Sequence, residues 1–83
     1  MKHLEEVIHV RCSGARPLAF RRLRSQGRTY VIQHILRVWV VQTAWWDREV
    51  RHTYYEVVTG HGVYLICRRC HAQGAWYLVG IHD

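Results

Sequence analysis

The sequence is poor in the features that mark exported, membrane-spanning or disordered chains. Its 83 residues include one proline and six glycines, and 49% are hydrophobic, a composition that excludes a disordered or low-complexity chain. No apolar run approaches the roughly 18–20 residues that cross a bilayer. Residues 1–6 lack the apolar segment of a secretory signal. We therefore expect one small domain over residues 1–83, located in the cytoplasm.

Cysteine is also scarce, and its pattern argues against a disulfide framework. The three cysteines, Cys12, Cys67 and Cys70, are an odd number in a chain with no recognisable export signal. Residues 67–71 nevertheless read Cys-Arg-Arg-Cys-His, the pattern of covalent haem attachment and half of a zinc site. Haem of this type needs export and an apolar cradle, and zinc needs two further ligands that no spacing selects. We predict neither a metal nor a cofactor.

Acidic residues are few, which leaves the chain strongly basic. Six Asp plus Glu stand against twelve Lys plus Arg, the formal net charge is +6, and eleven of the twelve cations are arginine. Guanidinium groups favour bidentate phosphate contacts and stacking on aromatic rings, so an anionic partner is expected, nucleic acid first. The competing interpretation is that the charge only keeps a small β-protein soluble. No catalytic motif is found, and an enzyme is not predicted.

The apolar segments favour strands over helices, because Val, Ile, Tyr, Trp and Thr fill them and good helix formers are sparse. Residues 50–59 alternate cleanly between two faces, and Gly60–Gly62 is typical of a hairpin turn. Short connections predict antiparallel neighbours. We predict an all-β domain: a small, strongly curved antiparallel sheet or partly open barrel of six to seven strands, with at most one short helix.

Residues 30–41 allow two interpretations. Four apolar residues fall at the i, i+3, i+4, i+7 spacing of one helical face: Ile32, Ile35, Leu36 and Trp39. Against a helix, β-branched and aromatic residues crowd the segment and no capping residue opens it. We prefer two strands, or one bent strand with a kink near residues 34–37, and keep the helix as the alternative.

The order of aromatic and basic residues over residues 16–83 resembles a known family. The segments that carry the resemblance are Arg28–Ile32, Trp39–Val41, Trp45–Trp46, Arg51, Tyr54–Tyr55, Gly62–Tyr64, Arg68, Gly74–Leu78 and Ile81–Asp83. They are similar to an uncharacterised family of small bacterial proteins whose genes are associated with those of Y-family translesion polymerases. The resemblance implies a link to DNA repair and no catalytic residues. The Cys67–His71 segment departs from the family pattern, so a metal there would be private to this chain.

Arginines and neighbouring aromatic rings form the candidate site. We predict that nucleic acid is contacted by five arginines and by the outward member of a tryptophan pair: Arg22, Arg24, Arg28, Arg48, Arg51, Trp45 and Trp46. Guanidiniums supply phosphate contacts, and a ring supplies a surface on which a base stacks. The other aromatics compete for places in the core, where Trp39, Trp76 and one of Tyr54 and Tyr55 are expected.

The predicted function is that of a small basic accessory protein contacting nucleic acid, in DNA repair or damage tolerance. The alternative is a protein–protein adaptor whose aromatic face docks a translesion polymerase or another repair protein. No membrane partner is expected. A homodimer through an exposed edge strand is left open, because strand edges pair readily with a second chain.

Overall fold

The chain folds into an all-β closed barrel. The computed structural model describes residues 2–23, 28–45, 48–69 and 75–82, with the side chains of residues 43–45 and 48–50 outside the described part. The described strands are β1 (Lys2–Ser13), β2 (Arg16–Arg22), β3 (Thr29–Trp45), β4 (Arg48–Thr59), β5 (Gly62–Arg69) and β6 (Ala75–Ile81). Each strand pairs antiparallel with the next, and β1 pairs with β6 to close the barrel. The predicted fold class and strand number are confirmed.

β3 is a single bent strand, so the helix alternative for residues 30–41 is wrong. Its pairing with β4 slips by one residue between Ile32 and His34, and again between Ile35 and Arg37. Each bulge inserts one extra residue and turns the following side chains to the opposite face. Ile32 and Ile35 therefore both pack against the core although they are three residues apart. Leu36 and Trp39, the other two residues of the helix-like spacing, do not pack against the core: Leu36 is 53% exposed and Trp39 is opposite Tyr54.

Aromatic residues make up much of the core. The buried cluster comprises Ile8, Phe20, Tyr30, Tyr55, Val57, Tyr64, Ile66, Trp76 and Leu78. Phe20 stacks on Tyr30 with ring centroids 4.9 Å apart, and Tyr64 meets both rings edge-on. Tyr55 lies 5.3 Å from Trp76 in a second aromatic contact. Trp76 is thus a core residue, as predicted, and Tyr55 is the inward member of its pair.

The β3–β4 hairpin extends beyond the strands that flank it. β4 pairs with β5 as far as His52, opposite Arg69, whereas the β3–β4 pairing continues to Trp45, opposite Arg48. β2 pairs with β3 only through residues 29–31. In the described part of the chain, β3 from residue 32 onward therefore has a neighbouring strand on one side only.

Thr59 fixes the turn between β4 and β5. Its hydroxyl accepts a hydrogen bond from the backbone N–H of His61 and donates one to the carbonyl of Gly62, both at 3.0 Å. Gly62 has a φ of 121°, which residues with a side chain rarely adopt. The hairpin turn predicted at Gly60–Gly62 is confirmed.

Candidate nucleic-acid interface

One of the arginines predicted for the surface is used inside the barrel wall. Arg22 lies opposite the buried Ile8 in the β1–β2 register, so it belongs to the inner face. Its Nε and Nη2 donate to the two carboxylate oxygens of Glu6 at 2.8 and 2.9 Å. These hydrogen bonds raise the pKa of Arg22, against the opposing effect of burial. Arg22 would have to leave Glu6 before it could contact a phosphate.

Two further predicted arginines are exposed but lie far apart along β3. Arg28 directly precedes the first residue of β3. Arg51 of β4 is opposite Gln42, near the other end of β3. The fold therefore does not bring Arg28 and Arg51 into one cluster.

The remaining predicted residues fall wholly or partly outside the described part. Trp45 and Arg48 face each other as the last pair of the β3–β4 ladder, and their side chains are not described. Arg24 and Trp46 lie outside the described residues. Their predicted roles stay predictions.

A row of aromatic rings that the sequence did not indicate crosses the outer face of the barrel. Trp39 of β3 lies opposite Tyr54 of β4. Tyr54 lies opposite Cys67 of β5, and Cys67 lies opposite Tyr77 of β6. The Trp39 and Tyr54 rings stack with centroids 5.4 Å apart and 13° between their planes. We call Trp39, Tyr54 and Tyr77 the outer aromatic row.

The expectation that Trp39 belongs to the core is wrong. Its partner Tyr54 alternates with the inward-facing Tyr55, so both rings of the Trp39–Tyr54 pair lie on the outer face. Trp39 is only half-buried. The two bulges in β3 reverse the alternation twice and so restore it, and Trp39 lies on the face opposite to Ile32. The expectation rested on residue type, because large aromatic side chains are common in cores.

Arg37 lies over one end of the outer aromatic row. Its guanidinium carbon is 4.8 Å from the ring centroid of Trp39. Its Nε donates to Oε1 of Glu56 at 3.2 Å, and 67% of its side chain stays exposed. Arg37, Trp39 and Tyr54 thus form a stack whose cationic member is open to solvent.

Arg69 covers the other end of the row and is held more firmly. Its guanidinium carbon is 4.1 Å from the ring centroid of Tyr77. Its Nη1 is 2.8 Å from a carboxylate oxygen of Glu5, and only 23% of the side chain is exposed. Burial by itself lowers the pKa of Arg69, but the hydrogen bond and charge of Glu5 outweigh burial and raise it. The guanidinium over Tyr77 is therefore held by a second contact and is more buried than the one over Trp39.

The outer aromatic row also covers a thiol. Cys67 is fully buried between Tyr54 and Tyr77 in the register, although it does not face the core interior. Burial raises the pKa of Tyr54, and the neighbouring Cys67 adds to the rise. The rings thus shield Cys67 as well as offering a surface, so their structural role has to be separated from binding by experiment.

The described carboxylates leave a surplus of unpaired arginines. Glu5, Glu6 and Glu56 each pair with an arginine, and Oε2 of Glu56 is also 3.1 Å from Nε2 of His82. Within the described part, five exposed arginines form no ion pair: Arg11, Arg16, Arg21, Arg28 and Arg51. The surplus charge therefore lies on the surface.

The Cys-Arg-Arg-Cys-His segment is described only in part. Among the residues that the structure describes, no three His, Cys, Asp or Glu side chains come together as a metal site would require. Cys70 and His71 lie outside those residues. We therefore propose no metal or haem role for residues 67–71.

Comparison of the chain with protein-family models, with curated proteins and with solved structures finds no match. Within the described residues, no helix is long and apolar enough to span a membrane. The function is therefore argued from the chain's own residues.

Proposed function

We propose that this chain is a small basic protein that binds single-stranded nucleic acid and catalyses no reaction. The observation that carries the proposal is the stack of Arg37, Trp39 and Tyr54 on the outer face of a barrel with a formal charge of +6. Small β-barrels bind single strands by stacking bases on rings within a positively charged surface. Trp39 and Tyr54 supply the outward-facing rings, and the exposed guanidinium of Arg37 supplies positive charge beside them.

Arg37 is the movable member of this stack. Its contact with Glu56 is an exposed ion pair, and such pairs contribute only about 0.2–1 kcal/mol. A base that stacks on an aromatic side chain contributes about 1–3 kcal/mol. A base that takes the place of the guanidinium over the Trp39 ring also removes a cation–π contact of about 0.5–1 kcal/mol. Base stacking in the upper part of its range outweighs both losses, and a phosphate contact of the freed guanidinium adds to the gain. The displaced guanidinium, on a long flexible side chain, then reaches a phosphate of the same strand.

The biological setting is part of the proposal and rests on the resemblance to the translesion-polymerase-associated family. Repair and damage tolerance expose single-stranded DNA, which is the ligand that stacked rings and unpaired arginines suit. We place the protein in the cytoplasm of a bacterium, as an accessory to such a polymerase. Arg28, Arg48 and Arg51 stay proposed nucleic-acid contacts, together with Arg24, Trp45 and Trp46, and a strand that reached both Arg28 and Arg51 would have to run along β3.

The proposal is tested by titrating labelled single-stranded and duplex oligonucleotides at two salt concentrations. Trp39→Leu removes the ring but keeps an apolar cover over the sheet, and Trp39→Phe keeps a ring at the same position. We expect Trp39→Leu to weaken single-strand binding by about 1–3 kcal/mol with little change in salt dependence, and Trp39→Phe to retain most of the affinity. Wild-type protein that binds no oligonucleotide at low salt would contradict the proposal.

A protein-binding role is the second candidate, and one observation favours it. In the described part of the chain, β3 has a neighbouring strand on one side only beyond residue 31, and three of its apolar side chains there are more than half exposed: Leu36, Val38 and Val40. An extended segment of a partner or of a second copy can pair with such an edge. Val38→Lys and Val40→Lys leave the outer aromatic row intact. If they abolish association with another protein while oligonucleotide binding is absent, the adaptor function replaces the first proposal.

A further inference from the structure

A groove on the outer face of the barrel lies across β1, β2 and the start of β3, away from the outer aromatic row. Its volume is about 360 Å³. Its floor is Ala19, which lies opposite Arg11 on β1 and Val31 on β3. Arg21 lies two residues along β2, opposite His9. Ala19 is only 2% exposed, so its methyl group lies at the bottom of a depression whose walls are the longer side chains around it.

The polar lining of this groove is made of hydrogen-bond donors. Arg11 and Arg21 occupy diagonal positions on adjacent strands, where side chains are within reach of each other. Both are exposed, and neither pairs with a carboxylate in the described part of the chain. His9 and Thr29 complete the polar lining, and Val10 and Phe20 line the groove beside Ala19. Two like charges at such positions repel each other unless an anion lies between them.

The described carboxylates are used elsewhere in the barrel, so they do not neutralise the two groove arginines. Glu5, Glu6 and Glu56 are each paired with an arginine elsewhere in the barrel. Within the described residues the groove lining contains two guanidiniums and no carboxylate. A guanidinium presents several N–H donors in one plane, and a pair of them matches the oxygens of a phosphate group.

We propose that this groove binds a phosphate group of the nucleic-acid backbone between Arg11 and Arg21. The inference rests on the proposed nucleic-acid function and adds to it the place where the backbone is held. The shared chemistry is a phosphate oxyanion, whether it belongs to a phosphodiester or to free phosphate. Bases stack on the outer aromatic row, and the groove holds phosphate without reading the base.

The experiment compares binding of oligothymidylate and of an abasic oligonucleotide of equal length, each at several salt concentrations. Arg11→Gln and Arg21→Gln each remove one charge from the groove. Ala19→Val fills the groove without changing the charge. Arg16→Gln is the matched control, because Arg16 is an exposed β2 arginine outside the groove lining. Thermal melting confirms that each variant is folded.

We expect each groove arginine variant to lower the slope of log K against log salt by about 0.7 for either ligand, since one phosphate contact is lost. Ala19→Val should lower the slope in the same way, although no charge has changed. Arg16→Gln should have less than half this effect. Displacement of the abasic oligonucleotide by inorganic phosphate at matched ionic strength assigns the site to free phosphate as well. If inorganic phosphate does not displace the oligonucleotide, the site is specific for the phosphodiester backbone. Both results support the groove as a phosphate-binding site.

Failure of the groove and failure of the proposed function give different results. If Ala19→Val binds as wild type, and Arg21→Gln behaves like Arg16→Gln, the groove proposal is overturned. Wild-type binding of oligothymidylate that still depends on Trp39 would then leave the proposed function in place. Conversely, if the abasic oligonucleotide binds through the groove while Trp39→Leu changes nothing, base stacking is overturned and the groove remains.

Discussion

Glu6 and Arg22 form a bidentate ion pair on the inner face of the barrel, with N–O distances of 2.8 and 2.9 Å. Their strand partners show how close the pair is to the core: Glu6 is opposite the fully buried Leu78, and Arg22 is opposite Ile8. Both side chains are mostly buried. The pair therefore links β1 to β2. It also means that Arg22 is not part of the basic surface on which the sequence predicts it.

The first prediction follows from the burial of this pair. Arg22→Met removes the guanidinium that donates to both carboxylate oxygens of Glu6 and should destabilise the fold by roughly 2–4 kcal/mol, since breaking a mostly buried ion pair is costly. The double variant Glu6→Gln/Arg22→Met should recover most of this loss, and its net charge equals that of wild type. Urea unfolding measures both effects. A double variant that is as unstable as Arg22→Met alone would contradict the pairing.

The face on which Arg22 lies could be predicted from the sequence, but its ion-pair partner could not. Alternation along the strand already placed Arg22 on the same face as Phe20, which is in the core. Its partner could not be predicted, because Glu6 is sixteen residues earlier and meets Arg22 only through the β1–β2 register. A basic residue was therefore assigned to the surface on charge alone.

The outer aromatic row was hidden by a different effect. Residues 50–59 alternate without interruption, so the sequence predicts that one of Tyr54 and Tyr55 points inward, and the structure shows that it is Tyr55. Trp39 was expected in the core on residue type, whereas two bulges between Ile32 and Arg37 shift the alternation twice and leave Trp39 on the outer face. Bulges have no reliable sequence signature when no glycine marks them. The fold class was predictable from residue chemistry and turns, whereas the faces of β3 were not.

The second prediction separates the two arginines that cover the outer aromatic row. Arg37→Gln removes an exposed ion pair and an exposed cation–π contact, so it should cost at most about 1 kcal/mol of stability, and it should lower the salt slope of single-strand binding by about 0.7. Arg69→Gln breaks contacts with Glu5 and Tyr77 and should cost roughly 1–2 kcal/mol of stability. Chemical unfolding and salt titration of both variants give the comparison. Equal loss of salt slope in the two variants would show that Arg69 is not held in place as described.

The third prediction concerns alkaline pH. Burial raises the pKa of Tyr64 from its ordinary value of 10.0; Tyr30 adds to the rise and Arg22 opposes it. The folded state therefore holds the phenolic proton more tightly than the unfolded state does. The resulting stability is fully present below pH 10 and is lost as the pH rises through the higher pKa of the folded state.

Tyr64→Phe removes this titration, together with the long 3.4 Å hydrogen bond from the hydroxyl to the carbonyl of His61. The variant should be less stable than wild type by about 0.5–1.5 kcal/mol at pH 7, yet should lose less stability between pH 9 and pH 11. Urea midpoints across this range provide the measurement. Parallel pH profiles for the two proteins would show that Tyr64 does not carry the alkaline loss.

The fourth prediction assigns opposite roles to two tryptophans. Trp76 lies in the core against Tyr55, and Trp76→Leu should cost roughly 2–4 kcal/mol through lost contacts and a residual cavity. Protein of this length has a total stability of only about 4–12 kcal/mol, so the loss is large, but the fraction that stays folded should bind oligonucleotides with wild-type affinity. Trp39→Leu should lose only about 1 kcal/mol of stability, since its stack with Tyr54 is on the outer face, while single-strand affinity falls. Binding measured at a temperature where both variants are folded separates the two roles. If Trp39→Leu unfolds the barrel and Trp76→Leu weakens binding of folded protein, the outer aromatic row is a structural cover for Cys67 and the nucleic-acid surface lies elsewhere.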